Sequence, residues 1–159
     1  MGQKTNTTRG YTIVELLIVI VVIGILSVLI FGGVINSQAR ARDTERATDI
    51  DVLRSRLEQY YNDNGGYPNT FSVSTFPAMD PATLKDPAGN TISIVAPVAN
   101  QFTARATSNP TSSGAQYKYV PYPTGCGAIT CTGYVLKTFI EQPSSKLPNP
   151  YVRYGLNNN

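Results

Sequence analysis

Glu15 is the one charged residue in an apolar run that extends from Ile13 to Ile35. A carboxylate at mid-helix in hydrocarbon costs about 2.5 to 3.5 kcal/mol, and less near a helix end. One account is an acid near a membrane-helix end whose side chain reaches the interface. The other is a cation that arrives later. If the chain is cut after Gly10, Tyr11 becomes a charged amino terminus one helical turn before Glu15, and an adjacent subunit can supply the same group. The second account is favoured, because an unpaired intramembrane acid demands a partner and self-assembly supplies one.

Other chemistry is thinly represented. The chain has no His, which removes the commonest general base and the commonest metal ligand. No nucleophile–base pair, phosphate-binding loop or convincingly spaced carboxylate pair is visible, so an enzyme is not expected and neither is a cofactor. Cys126 and Cys131 lack a second pair or a His to complete a zinc site, and a disulfide closing a short loop is the favoured reading. Asp80, Asp86 and Asn90 could offer oxygens to calcium, but no dense acidic loop surrounds them and turn capping is favoured. Residues 64–159 set Lys85, Arg105, Lys118, Lys137, Lys146 and Arg153 against Asp80, Asp86 and Glu141. With ten tyrosines in the chain, a basic-aromatic surface for nucleic acid is conceivable, although core packing is the better account of those rings.

The elements that position these residues follow from periodicity. Lys4 and Arg9 precede the apolar run, which is long enough to span a hydrocarbon core of ~30 Å at ~1.5 Å per residue and has no small-residue cleavage site behind it. These basic residues predict a cytoplasmic N-terminus. Arg40, Arg42 and Arg46 pull the other way, with Asp43, Glu45 and Asp49 interleaved among them as on a solvated helix. Gly24, Gly32 and Gly33 weaken the helix by ~1 kcal/mol each, reflecting either ordinary membrane-helix composition or local melting and close packing. Ile50, Leu53, Leu57 and Tyr60/Tyr61 continue as an apolar stripe until Asn64-Gly65-Gly66 stops it. One helix from about Thr12 to Asn62 would be roughly 75 Å long. Residues 64–100 read as a long loop with one or two short elements and a turn at DPAGN. QFTARATS, QYKYVPY and GYVLKTFIEQ read as strands, with SSGAQ and the region of TGCGAITC as connections and NPYVRYGLNNN as a loop with a short edge strand.

RGYTIVELLIVIVVIGIL resembles the class III signal of type IV pilins and pseudopilins. A short basic leader ends in Gly10, an aromatic Tyr11 and Thr12 follow, and Glu15 and Gly24 occupy motif positions. The likeness covers roughly residues 9–30, continues more loosely through LRSRLEQYYNDNGGYP, and extends to the remainder only in architecture. LKDPAGN resembles a turn of the major secretion pseudopilins. Tyr11 stands where Phe is commoner and Gly32 where many pilins bend at Pro. The cysteines are closer together than those framing the variable loop of many pilins.

The resemblance implies an α+β fold: a long N-terminal α-helix, transmembrane or filament core in one half and amphipathic in the other, packed on a small antiparallel β-sheet head. Residues 1–10 would be a leader, 11–63 the extended helix with 11–35 in the membrane, and 64–159 the head, with a loop over 64–100 and a sheet over 101–159. A prepilin peptidase would cut between Gly10 and Tyr11 and methylate Tyr11. An inner-membrane assembly machine would then extract the subunit from the cytoplasmic membrane into a helical homopolymer on the cell surface. Glu15 would pair with the terminal amine of a neighbour. The expected function is a filament subunit serving adhesion, motility or DNA uptake. The alternatives are a pseudopilin of a secretion or competence system and a membrane-tethered extracytoplasmic domain.

Overall fold

The computed structural model describes residues 10–70, 72–76 and 79–157; the side chains of residues 29–33 are outside that description, as are the leader residues 1–9 with Lys4 and Arg9. A first helix, α1 (Ile13–Asn64), runs without a proline through Gly24, Gly32 and Gly33. It stops where expected. Gly65 adopts φ 79° and its N–H caps the Tyr61 carbonyl at 2.7 Å, a backbone conformation that glycine reaches without a Cβ penalty. The chain divides into two compact units, Met1–Gln38 and Ala39–Asn159, which are described separately.

In the first unit the apolar side chains from Ile13 to Val28 are exposed, including Ile13 at 84% and Val28 at 75%. Among the described residues no helical stretch is long and apolar enough to cross a membrane. The apolar sequence continues through residues 29–33, whose side chains are not described, so the expected span from Ile13 to Ile35 is only partly visible.

The second unit contains a three-layer head, built because each face of its sheet is apolar. The sheet order is β1 (Ser93–Ile94), β2 (Tyr117–Tyr122), β3 (Gly133–Thr138) and β4 (Tyr151–Tyr154). β2 and β3 are antiparallel with Tyr119 opposite Leu136, β3 and β4 likewise with Leu136 opposite Arg153. β1 runs parallel to β2, so the sheet is mixed rather than antiparallel and starts before residue 101. The period-2 alternation of the strands sends Tyr117, Tyr119, Tyr134, Leu136 and Tyr151 toward α1, where Ile50, Leu53 and Leu57 are fully buried among them. Each such aliphatic side chain contributes about 1.5 to 3 kcal/mol by leaving water.

The opposite face holds Val120, Tyr122 and Val135 against Ala104 of a second helix, α2 (Gln101–Ala106). The sequence QFTARATS, expected as a strand, is this helix. Its start is set by Asn100, whose Oδ1 accepts from the Thr103 N–H at 2.9 Å. Its end is set by lysines of the sheet. Lys137 Nζ donates to the carbonyls of Arg105 and Thr107 at 2.7 and 2.8 Å, and Lys118 Nζ to the Ser108 carbonyl at 2.7 Å. Burial, with Lys118 and Arg105 nearby, lowers the pKa of Lys137.

The described residues between α1 and β1 include two 3-10 turns, Val73–Thr75 and Pro81–Leu84. Cys126 and Cys131 are disulfide-bonded, with Cα atoms 4.9 Å apart. Their loop lies against the end of α1: Tyr67 N–H donates to the Cys131 carbonyl at 2.8 Å and Cys131 N–H returns to Tyr67 at 3.3 Å. Gly66 has no room for a side chain there, since a Cβ would sit 2.0 Å from the Ile129 carbonyl oxygen.

Candidate functional site

The candidate site lies at the start of α1. Thr12 and Glu15 form a reciprocal cap: the Thr12 N–H and hydroxyl both donate to Glu15 Oε2 at 2.9 Å, and the Glu15 N–H donates to Thr12 Oγ1 at 3.2 Å. Two orphan amides of the helix start are thereby satisfied. The carboxylate therefore has a partner within its own turn, which the reading of Glu15 as unpaired missed. The signal was present in the sequence as T-x-x-E immediately before an apolar run. Tyr11 is 86% exposed and, with Glu15, Leu16, Ile18 and Val19, lines an open apolar hollow of about 550 Å³. Gly10 has open space around it, as does Gly24. The surroundings of Gly32 and Gly33 lie outside the described residues.

The chemistry available at this site is that of association. Exposed apolar surface draws two such helices together out of water, within lipid they associate by close packing and polar contacts instead, and the single carboxylate marks one axial position along them. Among the described residues no group of Cys, Asp or Glu is arranged to hold a metal ion. Asp80 and Asp86 act as turn caps instead. Asp80 accepts from the Ala82 N–H at 2.9 Å, and Asp86 from the N–H groups of Ala88, Asn90 and Gln116 at 2.9 Å each.

In the head, the charges interleaved on α1 divide: Arg40 and Glu45 are exposed as expected, whereas Asp43 and Arg46 are not. Asp43 and Arg46 are each 1% exposed. Arg46 binds Asp43 at 2.8 Å, Glu141 at 2.6 Å and Gln116 at 2.6 Å. Arg42 binds Glu141 at 2.6 Å, and Asp43 accepts the backbone N–H groups of Glu141 and Gln142 at 2.8 Å. The Arg42 hydrogen bond, with Arg46 adding to it against some burial, holds the Glu141 carboxyl down at about 2. For Asp43 and Arg46 the solvated reading failed because the decisive partner, Glu141, is distant in sequence.

Six of the ten tyrosines, at 67, 117, 119, 122, 134 and 151, are buried in the head, as expected of core packing, and four of them also bond back to α1. Tyr117 donates to Asp49 at 2.7 Å, Tyr151 to Asp51 at 3.0 Å, and Tyr67 and Tyr134 to Glu58 at 2.8 and 2.9 Å. Burial first, then the Glu58 carboxylate, pushes the Tyr67 phenol up to about 12. Rings Tyr67 and Tyr134 meet edge to face at 4.7 Å.

Comparison with known proteins agrees with the N-terminal geometry. The family model described as "Prokaryotic N-terminal methylation motif" matches residues 5–31. Type II secretion system core protein G of Pectobacterium carotovorum subsp. carotovorum is 32% identical over 91 residues, covering 55% of this chain and 58% of that protein. The protein of the same name from Pseudomonas aeruginosa is 33% identical over 88 residues, with the same coverage of each, and that of Dickeya chrysanthemi 36% over 62 residues, covering 39% and 40%. The chain thus spans about half the length of the curated relatives it matches. No solved structure matches it significantly. The relatives are named as core proteins of a secretion system and not as enzymes, in agreement with the non-enzymatic reading.

Proposed function

We propose, for a chain that carries the prokaryotic N-terminal methylation motif and is related to the pseudopilins of the type IV pilin family, that it is a pseudopilin. In this reading residues 1–10 are the leader, and the precursor is a single-pass protein of the cytoplasmic membrane. A prepilin peptidase cuts between Gly10 and Tyr11 and methylates Tyr11. An inner-membrane assembly machine then extracts the subunit, and α1 joins the core of a homopolymeric filament.

The observation that carries this reading is the exposed apolar half of α1 beginning at the Thr12–Glu15 cap, directly after the proposed cut. A helix apolar on all sides must be covered by lipid or by other helices. Cleavage creates an ammonium on Tyr11, a stronger partner for Glu15 than the neutral groups of Thr12, and a neighbour's amine sets axial register between subunits. Gly24, Gly32 and Gly33 let α1 bend as it changes surroundings. The relatives' names favour a secretion filament over a surface pilus, so adhesion, twitching and DNA uptake are secondary readings. Nucleic acid gains no support, since most of the head's tyrosines are spent on the core.

The test is Glu15→Ala in cells that assemble the wild-type chain. The variant is expected to insert into the membrane and to fold its head normally, while filament yield falls at least about tenfold. A normal yield of filaments by electron microscopy of sheared material would sink the pairing argument.

A further inference from the structure

Resting on the filament-subunit reading, we propose that the head carries a heterologous docking surface for a second copy of this chain. The groove beside α2, with Phe102 and Arg105, receives the acidic flank formed by Glu45, Asp49 and Asp80 of the next copy.

The receiving face has three features that intramolecular packing leaves unused. Phe102 is 82% exposed, the most exposed large apolar side chain among the described residues of the head. Beside it lies a groove of about 360 Å³ lined by Ala99, Gln101, Phe102, Tyr122, Pro123 and Thr132. Tyr122 is only 4% exposed, yet among the described residues its hydroxyl is the one buried side-chain polar atom without a hydrogen-bond partner. Other buried tyrosines of the core, at 67, 117, 119, 134 and 151, have acceptors for theirs.

Charge selects the occupant. Arg105 is exposed at the mouth of α2 and stacks on Tyr154 at 5.8 Å, with no carboxylate partner among the described residues. The other charged groups of the sheet's α2 face, Lys118 and Lys137, are tied to carbonyls. On the α1 side of the head, Glu45 and Asp49 lie one helical turn apart on the same face of α1, and Glu45 and Asp80 are exposed; burial first, then these two acids, raise the Asp49 pKa against the Tyr117 hydrogen bond. The acids thus crowd one another on one layer, while a guanidinium lacking a carboxylate and an exposed aromatic ring sit on the opposite layer. A two-fold contact through α2 would place Arg105 against Arg105. A contact between unlike faces pairs opposite charges and, repeated, does not close into a two-fold dimer but propagates as an open helix wherever its rotation does not close a ring.

The experiment uses the full chain in cells that assemble it, with Phe102→Asp, Arg105→Glu, and Arg105→Glu combined with Glu45→Arg and Asp80→Arg. Thermal melts check that each head still folds, with Asp80→Arg alone as the control for loss of the Ala82 turn cap, which is expected to lower the melting temperature only modestly, without unfolding the head. Both simple variants are expected to lower filament yield at least about tenfold, and the triple variant to recover much of it. A chain carrying both Phe102→Cys and Asp80→Cys is expected to form a ladder of covalent multimers on mild oxidation. Unchanged yield with folded variants, no charge rescue, or an adduct of the Phe102→Cys thiol with a different protein overturns the docking surface while filaments persist. Absence of filaments from the wild-type chain instead overturns the subunit reading, and this proposal with it.

Discussion

Removing the Asp43 carboxylate should cost the head about 3 kcal/mol. In Asp43→Ala, three bonds of 2.8 Å vanish together: one to Arg46 Nη1 and one each to the N–H groups of Glu141 and Gln142. The side chains of Asp43 and Arg46 are both 2% exposed, so water cannot replace what is lost. Breaking a buried pair from one side typically costs about 3 to 5 kcal/mol. Arg46 keeps Glu141 and Gln116, which places the expectation at the lower end. With a urea slope of about 1 to 3 kcal/mol per molar, the midpoint should fall by roughly 1 to 3 M. The assay is urea unfolding of the full chain in detergent micelles, followed by near-ultraviolet circular dichroism of the tyrosines. Glu45→Ala is the control, an exposed acid two positions along the same helix, expected within about 0.5 kcal/mol of wild type. Equal shifts for the two variants, or less than about 1 kcal/mol for Asp43→Ala, would refute the claim that this network is buried and essential.

Two further expectations concern the same head. Glu141 sits at about 2 in the folded state against an ordinary 4.5, so its contribution is present above about pH 5 and is lost as pH falls toward 2. Asp49, raised chiefly by burial, acts with opposite sign, so the comparison of wild type with Glu141→Gln isolates the Glu141 part; the variant should show a flatter decline of urea midpoint between about pH 5 and 3. Gly66→Ala should drive its methyl into the Ile129 carbonyl, costing about 1 to 3 kcal/mol or more and lowering the melting temperature by roughly 4 to 12 °C. Gly65→Ala meets open space and should cost only about 1 kcal/mol, through its positive φ.

The parts of the fold that were legible are those where local pattern and tertiary environment agree. The Ile50–Leu53–Leu57 stripe identified the buried face of α1, and alternation in GYVLKTFIEQ identified β3. QFTARATS alternates just as well, yet folds as α2, because Asn100 caps one end and two lysines from neighbouring strands hold the other. Only the first of those signals is local. Asp43 and Arg46 were indistinguishable from solvated helix charges until Glu141 was placed beside them across the fold. β1 is two residues long and parallel to β2, a pairing that no turn in the sequence announces. At the candidate site, Glu15 stood out by its charge, whereas Thr12 was overlooked although the capping pattern lay in plain order.

The tyrosine hydroxyls that reach Asp49, Asp51 and Glu58 have an evolutionary corollary. Because β2, β3 and β4 each contribute one, these acids are co-owned by the helix and the sheet. A drifting sequence could not redesign the polar decoration of that helix one position at a time. Loss of Glu58 would take the carboxylate acceptor from two phenols at once, leaving Tyr134 only the Arg54 carbonyl at 3.5 Å and Tyr67 only the donors of Asn157, so substitutions there must travel as correlated sets. The exposed positions between them, Val52 and Ser55, carry no such obligation and are where inherited variation can accumulate first.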